Sequence, residues 1–252
     1  MTALILRLLN ELRPVLPKAV WRFFNKLWWT YFWARERKQT SKELSIRGPK
    51  LAGSERAVLI EAIAEKYPFS ALIEIGCAYG QNFHILCCLF PEIHLVGIDC
   101  NENCISEGGE LLAKRGYKNA KLICANGIDL GQFADNSFDI AYTCAALLYV
   151  DNRDVEAVIS EMLRVARKTV FLVEQHLDGA SLERILGNRE GWVERHGVLH
   201  GEGYWIRDYA ALLGRFAKAR GCEVRITKIP FPLWTSERWK DFGCLIEIAK
   251  GR

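Results

Sequence analysis

The stretch Ala71-Leu72-Ile73-Glu74-Ile75-Gly76-Cys77-Ala78-Tyr79-Gly80-Gln81-Asn82 decides how this chain is read. An apolar run ends in an acid, passes through a turn of small residues and enters a helical pattern that stops before Pro91. Gly76 and Gly80 bracket the turn, where the lack of a Cβ permits unusual backbone angles and a close approach to a ligand. The helix that follows offers unpaired N–H groups and the positive end of its dipole, a setting for a carboxylate or phosphate. A second apolar run, His94 to Ile98, ends in Asp99. Two parallel strands would thus deliver Glu74 and Asp99 to one sheet edge, with Asp99 placed to accept both hydroxyls of a ribose. The combination points to a nucleoside-containing cofactor rather than to a helix-capping turn beside an ordinary surface acid.

Strands and helices alternate outward from this stretch. Ser54 caps a helix to Lys66, strand Ala71 to Ile75 follows, then helix Gln81 to Phe90 and helix Glu102 to Arg115, which ends at Gly116. Strands at Ala120 to Cys124, Phe138 to Tyr142 and Thr169 to Glu174 continue the pattern, with helix Asp154 to Ala166 between the last two. A helix from Asp208 to Arg220 stops at Gly221, and the apolar runs Cys222 to Ile229 and Phe242 to Ala249 read as a terminal pair of strands. The order is that of a doubly wound, mostly parallel α/β sheet of seven strands.

These residues resemble the class I S-adenosylmethionine-dependent methyltransferases. Glu74 to Gly80 is similar to that family's first motif, and Leu95-Val96-Gly97-Ile98-Asp99 to its second strand with the ribose-binding acid. Cys124-Ala125-Asn126-Gly127 falls where the family carries an aspartate facing the adenine amino group. Asp135 to Ala141 resembles the fourth-strand signature, and Leu147 to Val150 with a helix ending in Glu161 to Val165 completes a series over about Ser54 to His176. The resemblance implies S-adenosyl-L-methionine as cofactor, held by Glu74, Gly76, Cys77, Ala78, Gly80, Asn82, Asp99, Cys100, Asn126, Gly127 and Thr143. It also implies that the terminal strands form an antiparallel hairpin on the sheet edge. Two positions depart from the pattern: Ala78 stands for the middle glycine and Asn126 for the aspartate, which keeps a small side chain and a carbonyl acceptor respectively. A nicotinamide dinucleotide fits less well, because the turn lacks the second glycine that admits a pyrophosphate.

Half of the 252 residues are apolar, enough for one α/β domain over about residues 51–252. The nine cysteines include no Cys-x-x-Cys pair, so neither zinc nor a disulfide framework is supported, and most are expected to be small core hydrophobes in a reducing cytoplasm.

Residues 1–50 differ from the rest, with eleven Lys and Arg against three Asp and Glu, a net of +8, while the remaining chain carries 23 against 27, a net of −4. Four of the eight Trp fall here, and at helical spacing Val20, Phe24, Leu27, Trp28 and Tyr31 share one face while Arg22, Lys26 and Thr30 share another. Arg22 and Lys26 interrupt any run long enough to span a bilayer, which takes roughly 20 residues. No cleavage site follows a clean apolar block. Three readings stay open: an amphipathic helical extension on an anionic membrane surface, packing over the enzyme body or a partner, and nucleic-acid binding, against which the acidic body argues. The expected location is cytoplasmic, peripheral on the inner membrane face.

Transfer of an activated methyl needs an in-line acceptor, exclusion of water and, for a hydroxyl, a base. His176 and Glu174 after the fifth strand, and His200 in an insertion at about 177–206, are the catalytic candidates, His176 first. Thr143-Cys144-Ala145-Ala146 takes the place of an Asn-Pro-Pro-Tyr-like motif, which argues against exocyclic amine or amide acceptors, and no carboxylate cluster suggests a metal. The expectation is O-methylation of a small or amphiphilic, glycan- or lipid-linked acceptor, with a soluble metabolite acceptor or a silent scaffolding subunit as alternatives.

Overall fold

The structure is a computed structural model and describes residues 54–128, 130–177, 191–194, 197–200, 204–230, 233–234 and 242–251. The expected helical extension at 1–50 lies outside the described residues.

The chain runs α1 (Glu55–Ala64), β1 (Ala71–Ile75), α2 (Gln81–Leu89), β2 (His94–Asp99), α3 (Glu102–Lys114), β3 (Ala120–Cys124) and β4 (Phe138–Cys144). A turn of 3-10 helix at Leu147–Tyr149 leads to α4 (Val155–Val165), β5 (Ala166–Gln175), β6 (Gly191–Glu194), β7 (Gly197–His200), β8 (Trp205–Arg207), α5 (Tyr209–Lys218), β9 (Cys222–Lys228) and β10 (Gly243–Lys250). The main sheet has the order β3-β2-β1-β4-β5-β10-β9. β3, β2, β1, β4 and β5 are parallel neighbours, β10 is antiparallel to β5, and β9 is antiparallel to β10. The terminal strands therefore form the expected hairpin, in which β10 alone opposes the direction of the rest.

The central strands are apolar on both faces because helices cover both. On one face Leu72, Ile140, Tyr142, Phe171 and Val173 pack with Leu59 and Ile63 of α1 and Phe83 and Leu86 of α2. On the other Ile73, Ala141, Val170 and Leu172 pack with Val158 and Met162 of α4 and Leu213 of α5. Strand order reverses direction at β1, so the crevice beside the carboxyl ends of β1 and β4 is where a ligand belongs.

The far end of the sheet is closed by Asp139. Its carboxylate accepts from the amides of Ser70 (2.7 Å) and Ala71 (3.1 Å) and lies 3.2 Å from both Arg167 and Lys168, joining the starts of β1, β4 and β5. Burial acts to raise its pKa, but these partners outweigh it and hold the carboxyl below its usual value.

Within the insertion, β6, β7 and β8 form a small antiparallel sheet, fastened to the main body by a bridge between His176 and Arg207. One expectation needs correction: most cysteines are not core residues. All nine are thiols, but Cys88, Cys100 and Cys124 are exposed and Cys144 and Cys222 half-buried, because Cys88 is in the last turn of α2 and the others lie at or next to strand ends.

Candidate active site

The turn after β1 takes a strained shape. Gly76, Ala78 and Gly80 all lie in the left-handed region, at φ 78°, 46° and 71°. A methyl group on Gly76 would sit 2.3 Å from the Cβ of Ala146, in the loop after β4. Backbone bonds hold the turn against β2: the Ile98 carbonyl accepts from the amides of Gly76 (2.7 Å) and Cys77 (3.1 Å). The Asp99 carboxylate accepts from the Ala78 amide at 2.9 Å and from the Asn101 amide at 2.9 Å. Burial raises its pKa against the opposing pull of these amides. The Cys100 amide also bonds this carboxylate, so three backbone donors hold it at the tip of β2, and acceptor capacity remains for a ribose hydroxyl.

Glu74 works from beneath. It is 2 % exposed; Asn82 donates to one oxygen at 2.6 Å and the Tyr142 hydroxyl to the other at 3.2 Å. Burial pushes its carboxyl up to about 7, with Asn82, Arg56 and Tyr142 pulling it down. Arg56 of α1 completes the assembly, donating to the side-chain oxygens of Asn82 (2.8 Å) and Gln81 (2.5 Å) at the first turn of α2. Sequence reading did not single out Arg56, since a cation on an amphipathic helix has no motif signature. It also missed Gly108 in α3, where a Cβ would come within 2.7 Å of the Tyr79 carbonyl oxygen. The unusual adjacent glycines Gly108 and Gly109 inside a helix were the available signal.

Burial divides the expected cofactor residues into two groups. Glu74, Cys77, Gly80, Asn82 and Thr143 are enclosed, while Gly76, Ala78, Asp99, Cys100, Asn126 and Gly127 have accessible surface on the rim. Asn126 is exposed and its side-chain carbonyl accepts from the Ile128 amide at 3.1 Å, an Asx turn that shapes the loop after β3.

The catalytic candidates are not gathered at one point. Glu174 is fully buried, and its Oε1 accepts from the Thr143 hydroxyl (2.9 Å) and the amides of Ala146 (3.0 Å) and Leu147 (2.9 Å). Burial raises its pKa, and the amides of Leu147 and Ala146, the Thr143 hydroxyl and the charge of Arg207 oppose the rise. His176 is half-buried and its Nδ1 accepts from the Tyr209 amide at 3.1 Å, which places the proton of the neutral ring on Nε2 and caps α5. His200 lies in β7, in the small sheet. Arg207, fully buried, had no sequence signal. It donates to the carbonyls of Leu147 (2.6 Å) and Val150 and to the Asn152 side chain (3.2 Å), so the small sheet clamps the loop after β4.

The rim fits a nucleoside with an amino-acid tail. It offers an acceptor carboxylate for a ribose, a turn of small residues with its helix start, and polar backbone at the ends of β3 and β4. Among the described residues no group of three or more His, Cys, Asp or Glu could hold a metal.

Residues 72–169 match the family model described as a methyltransferase domain. No curated protein sequence matches the chain. Among solved structures, the plantazolicin methyltransferase BamL, in complex with a triazolic desmethylPZN analogue and SAH, superposes with a TM-score of 0.61 at 15% identity, covering 90% of this chain and 96% of that one. Magnesium protoporphyrin IX methyltransferase from Synechocystis PCC 6803 with bound SAM gives 0.54 at 13% identity, covering 78% of each chain. The [4+2]-cyclase SpnF gives 0.57 at 17% identity, covering 77% of this chain and 80% of that one. The matched segment, with its acid-tipped strands β1 and β2 and the left-handed turn between them, is similar to a methyltransferase domain, and the chain shares its fold with S-adenosylmethionine-dependent methyltransferases.

Proposed function

We propose that the chain transfers a methyl group from S-adenosyl-L-methionine to an oxygen of a small or amphiphilic acceptor. The observation that carries this reading is the bond from the Ala78 amide to Asp99, which joins the tips of β1 and β2 at the edge where a nucleoside is expected. Asp99 would take the ribose hydroxyls, the turn from Gly76 to Gly80 and the start of α2 the amino-acid end, and Cys100, Asn126 and Gly127 the base. Bound there, the cofactor supplies an activated methyl on a sulfonium. The protein holds both partners in line and keeps water out.

The hydrogen bonding of the base candidates refines the acceptor. Glu174 is enclosed and the Nδ1 lone pair of His176 is engaged by Tyr209. An acceptor that ionises unaided, a carboxylic acid, needs neither. The basic, aromatic composition of residues 1–50 supports action at an anionic, cytoplasmic membrane face. Among the described residues no helix is long and apolar enough to cross a membrane.

A second reading is a binding or scaffolding subunit that has kept the fold without methyl transfer. It is favoured by the engagement of the base candidates and by the cyclase that shares the fold, since fold does not dictate chemistry. Incubating the full chain with cell extract and methyl-labelled S-adenosyl-L-methionine separates the two. Label in a small extractable acceptor supports the enzyme, and label in none supports the silent subunit. Liposome flotation of the full chain against a version starting at Ser54 tests the membrane surface; equal flotation removes it.

A further inference from the structure

Two buried polar groups stand side by side at the end of β5, on the sheet face covered by α1 and α2. The indole Nε1 of Trp234 and the side-chain carbonyl of Gln175 make no hydrogen bond among the described residues, although the two residues are only 5 % and 7 % exposed. Gln175 is the last residue of β5 and pairs with Gly243, the first of β10, in the antiparallel ladder. Residues directly opposite in such a ladder project to the same face, with Cβ positions about 4.5–5.5 Å apart. A Cβ on Gly243 would fall 2.1 Å from Cδ2 and 2.5 Å from Cγ of Trp234, so the indole fills the place of the missing side chain, next to Gln175. Packing agrees, since Trp234 joins the cluster of Phe171 and Val173, which share their face of β5 with Gln175. Glu174 Oε2 also has no partner, but it lies on the other face with its ladder partner Cys244, which packs with Leu172. Folded proteins leave few buried donors or acceptors unpaired, because each costs about as much as a lost hydrogen bond. A donor and an acceptor together, over a glycine that admits the ring, make a site for a group that both accepts and donates.

We propose that Trp234 and Gln175 bind a neutral hydroxyl of the methyl acceptor, remote from the oxygen that is methylated. The indole N–H donates to the hydroxyl oxygen, and the Gln175 carbonyl accepts from its O–H. A carboxylate or phosphate has no proton for Gln175, an ammonium has no lone pair for Trp234, and an apolar tail leaves both groups unpaired. The position suits the far end of an acceptor. β4 separates β5 from β1 in the sheet, so Gln175 stands two strand spacings, roughly 10 Å, from β1. Its face is also that of Tyr142, whose hydroxyl donates to Glu74 beneath the glycine turn. With a carboxyl as the methylated group, the acceptor class is a hydroxylated carboxylic acid. This assignment rests on the methyltransferase reading proposed above.

The full chain and its Gln175→Met and Trp234→Phe variants are compared in the methyl-labelled extract assay over a dilution series of the extract, with S-adenosylhomocysteine binding and thermal melting measured alongside. Each variant is expected to bind S-adenosylhomocysteine as the native protein does and to need about tenfold more extract for half-maximal labelling, the effect of losing one hydrogen bond to the acceptor. Gln175→Met keeps the volume and removes the orphaned carbonyl, so it should melt no lower than the native protein. The labelled product should take up at least one base-labile acetyl group from acetic anhydride, the mark of a free hydroxyl. Variants that label at native extract concentrations, or a labelled product without a free hydroxyl, would overturn the proposal. Native labelling by Gln175→Met together with a lower melting temperature would overturn it in favour of a trapped water between the two groups. If native and variant proteins label alike, only the hydroxyl site falls; if the native protein binds S-adenosylhomocysteine and labels nothing, the methyltransferase reading fails and the site falls with it.

Discussion

The carboxylate of Asp99 receives the backbone N–H of Ala78 at 2.9 Å, so the acid at the tip of β2 holds the turn after β1 in its left-handed form. An acid expected to meet a ribose is therefore also a strut for the glycine turn. Removing it affects both ligand and loop.

Asp99→Ala is expected to weaken S-adenosylhomocysteine binding by at least about a hundredfold, since hydrogen bonds to a charged group contribute roughly 1.5–3 kcal/mol each. Titration calorimetry reads the change; an unaltered affinity would remove Asp99 from the site.

Ala78 holds φ 46°, a conformation that costs a non-glycine residue about 1 kcal/mol. Ala78→Gly should leave the melting temperature unchanged or raise it, whereas Gly76→Ala should lower it, because its methyl group would fall 2.3 Å from the Ala146 Cβ. Thermal denaturation of both variants checks the pair.

Glu74 sets a pH dependence. Its carboxyl titrates at about 7 in the fold against 4.5 in the unfolded chain, so between those values the folded protein binds the extra proton. Its contribution to stability is greatest below the unfolded value and declines as pH rises through about 7, by on the order of 3 kcal/mol. Glu74→Gln should therefore gain stability relative to the native protein between pH 5 and pH 8 in urea unfolding. A constant difference across that range would show that Glu74 does not titrate there.

Arg207 clamps the loop after β4, and its charge acts on buried Glu174. Arg207→Met leaves two carbonyls without their donor and a buried carboxyl without its counter-charge, a loss of about 3–5 kcal/mol. Glu174→Gln should then cost less in the Arg207→Met background than in the native one, and the double-mutant cycle reports the coupling. Strict additivity would mean the two act separately.

The fold was legible because hydrophobic period and punctuation agree along the chain. Ala71–Ile75 and Ala120–Cys124 are the strands expected residue for residue, and Gly116 and Gly221 end their helices at φ 77° and 64°. Asp99 and the glycine turn were legible for the same reason, since a tight turn between strand and helix admits few residue types. Glu74 was read as a ligand contact, but its depth beneath the turn follows from packing against Tyr142, sixty-eight residues on. Arg56 and Arg207 were invisible because their partners, Asn82 and the Leu147 carbonyl, are 26 and 60 residues away and leave no local pattern. The sheet of β6 to β8 was missed because its strands are three or four residues long and alternate too briefly to show a period.

The most direct test is calorimetric titration of the reduced full chain with S-adenosylhomocysteine, in parallel with Asp99→Ala. The rim between β1 and β2 predicts saturable binding at one site per chain that the substitution abolishes. A folded native protein that takes up no S-adenosylhomocysteine, or a variant that binds it equally well, would contradict the assignment.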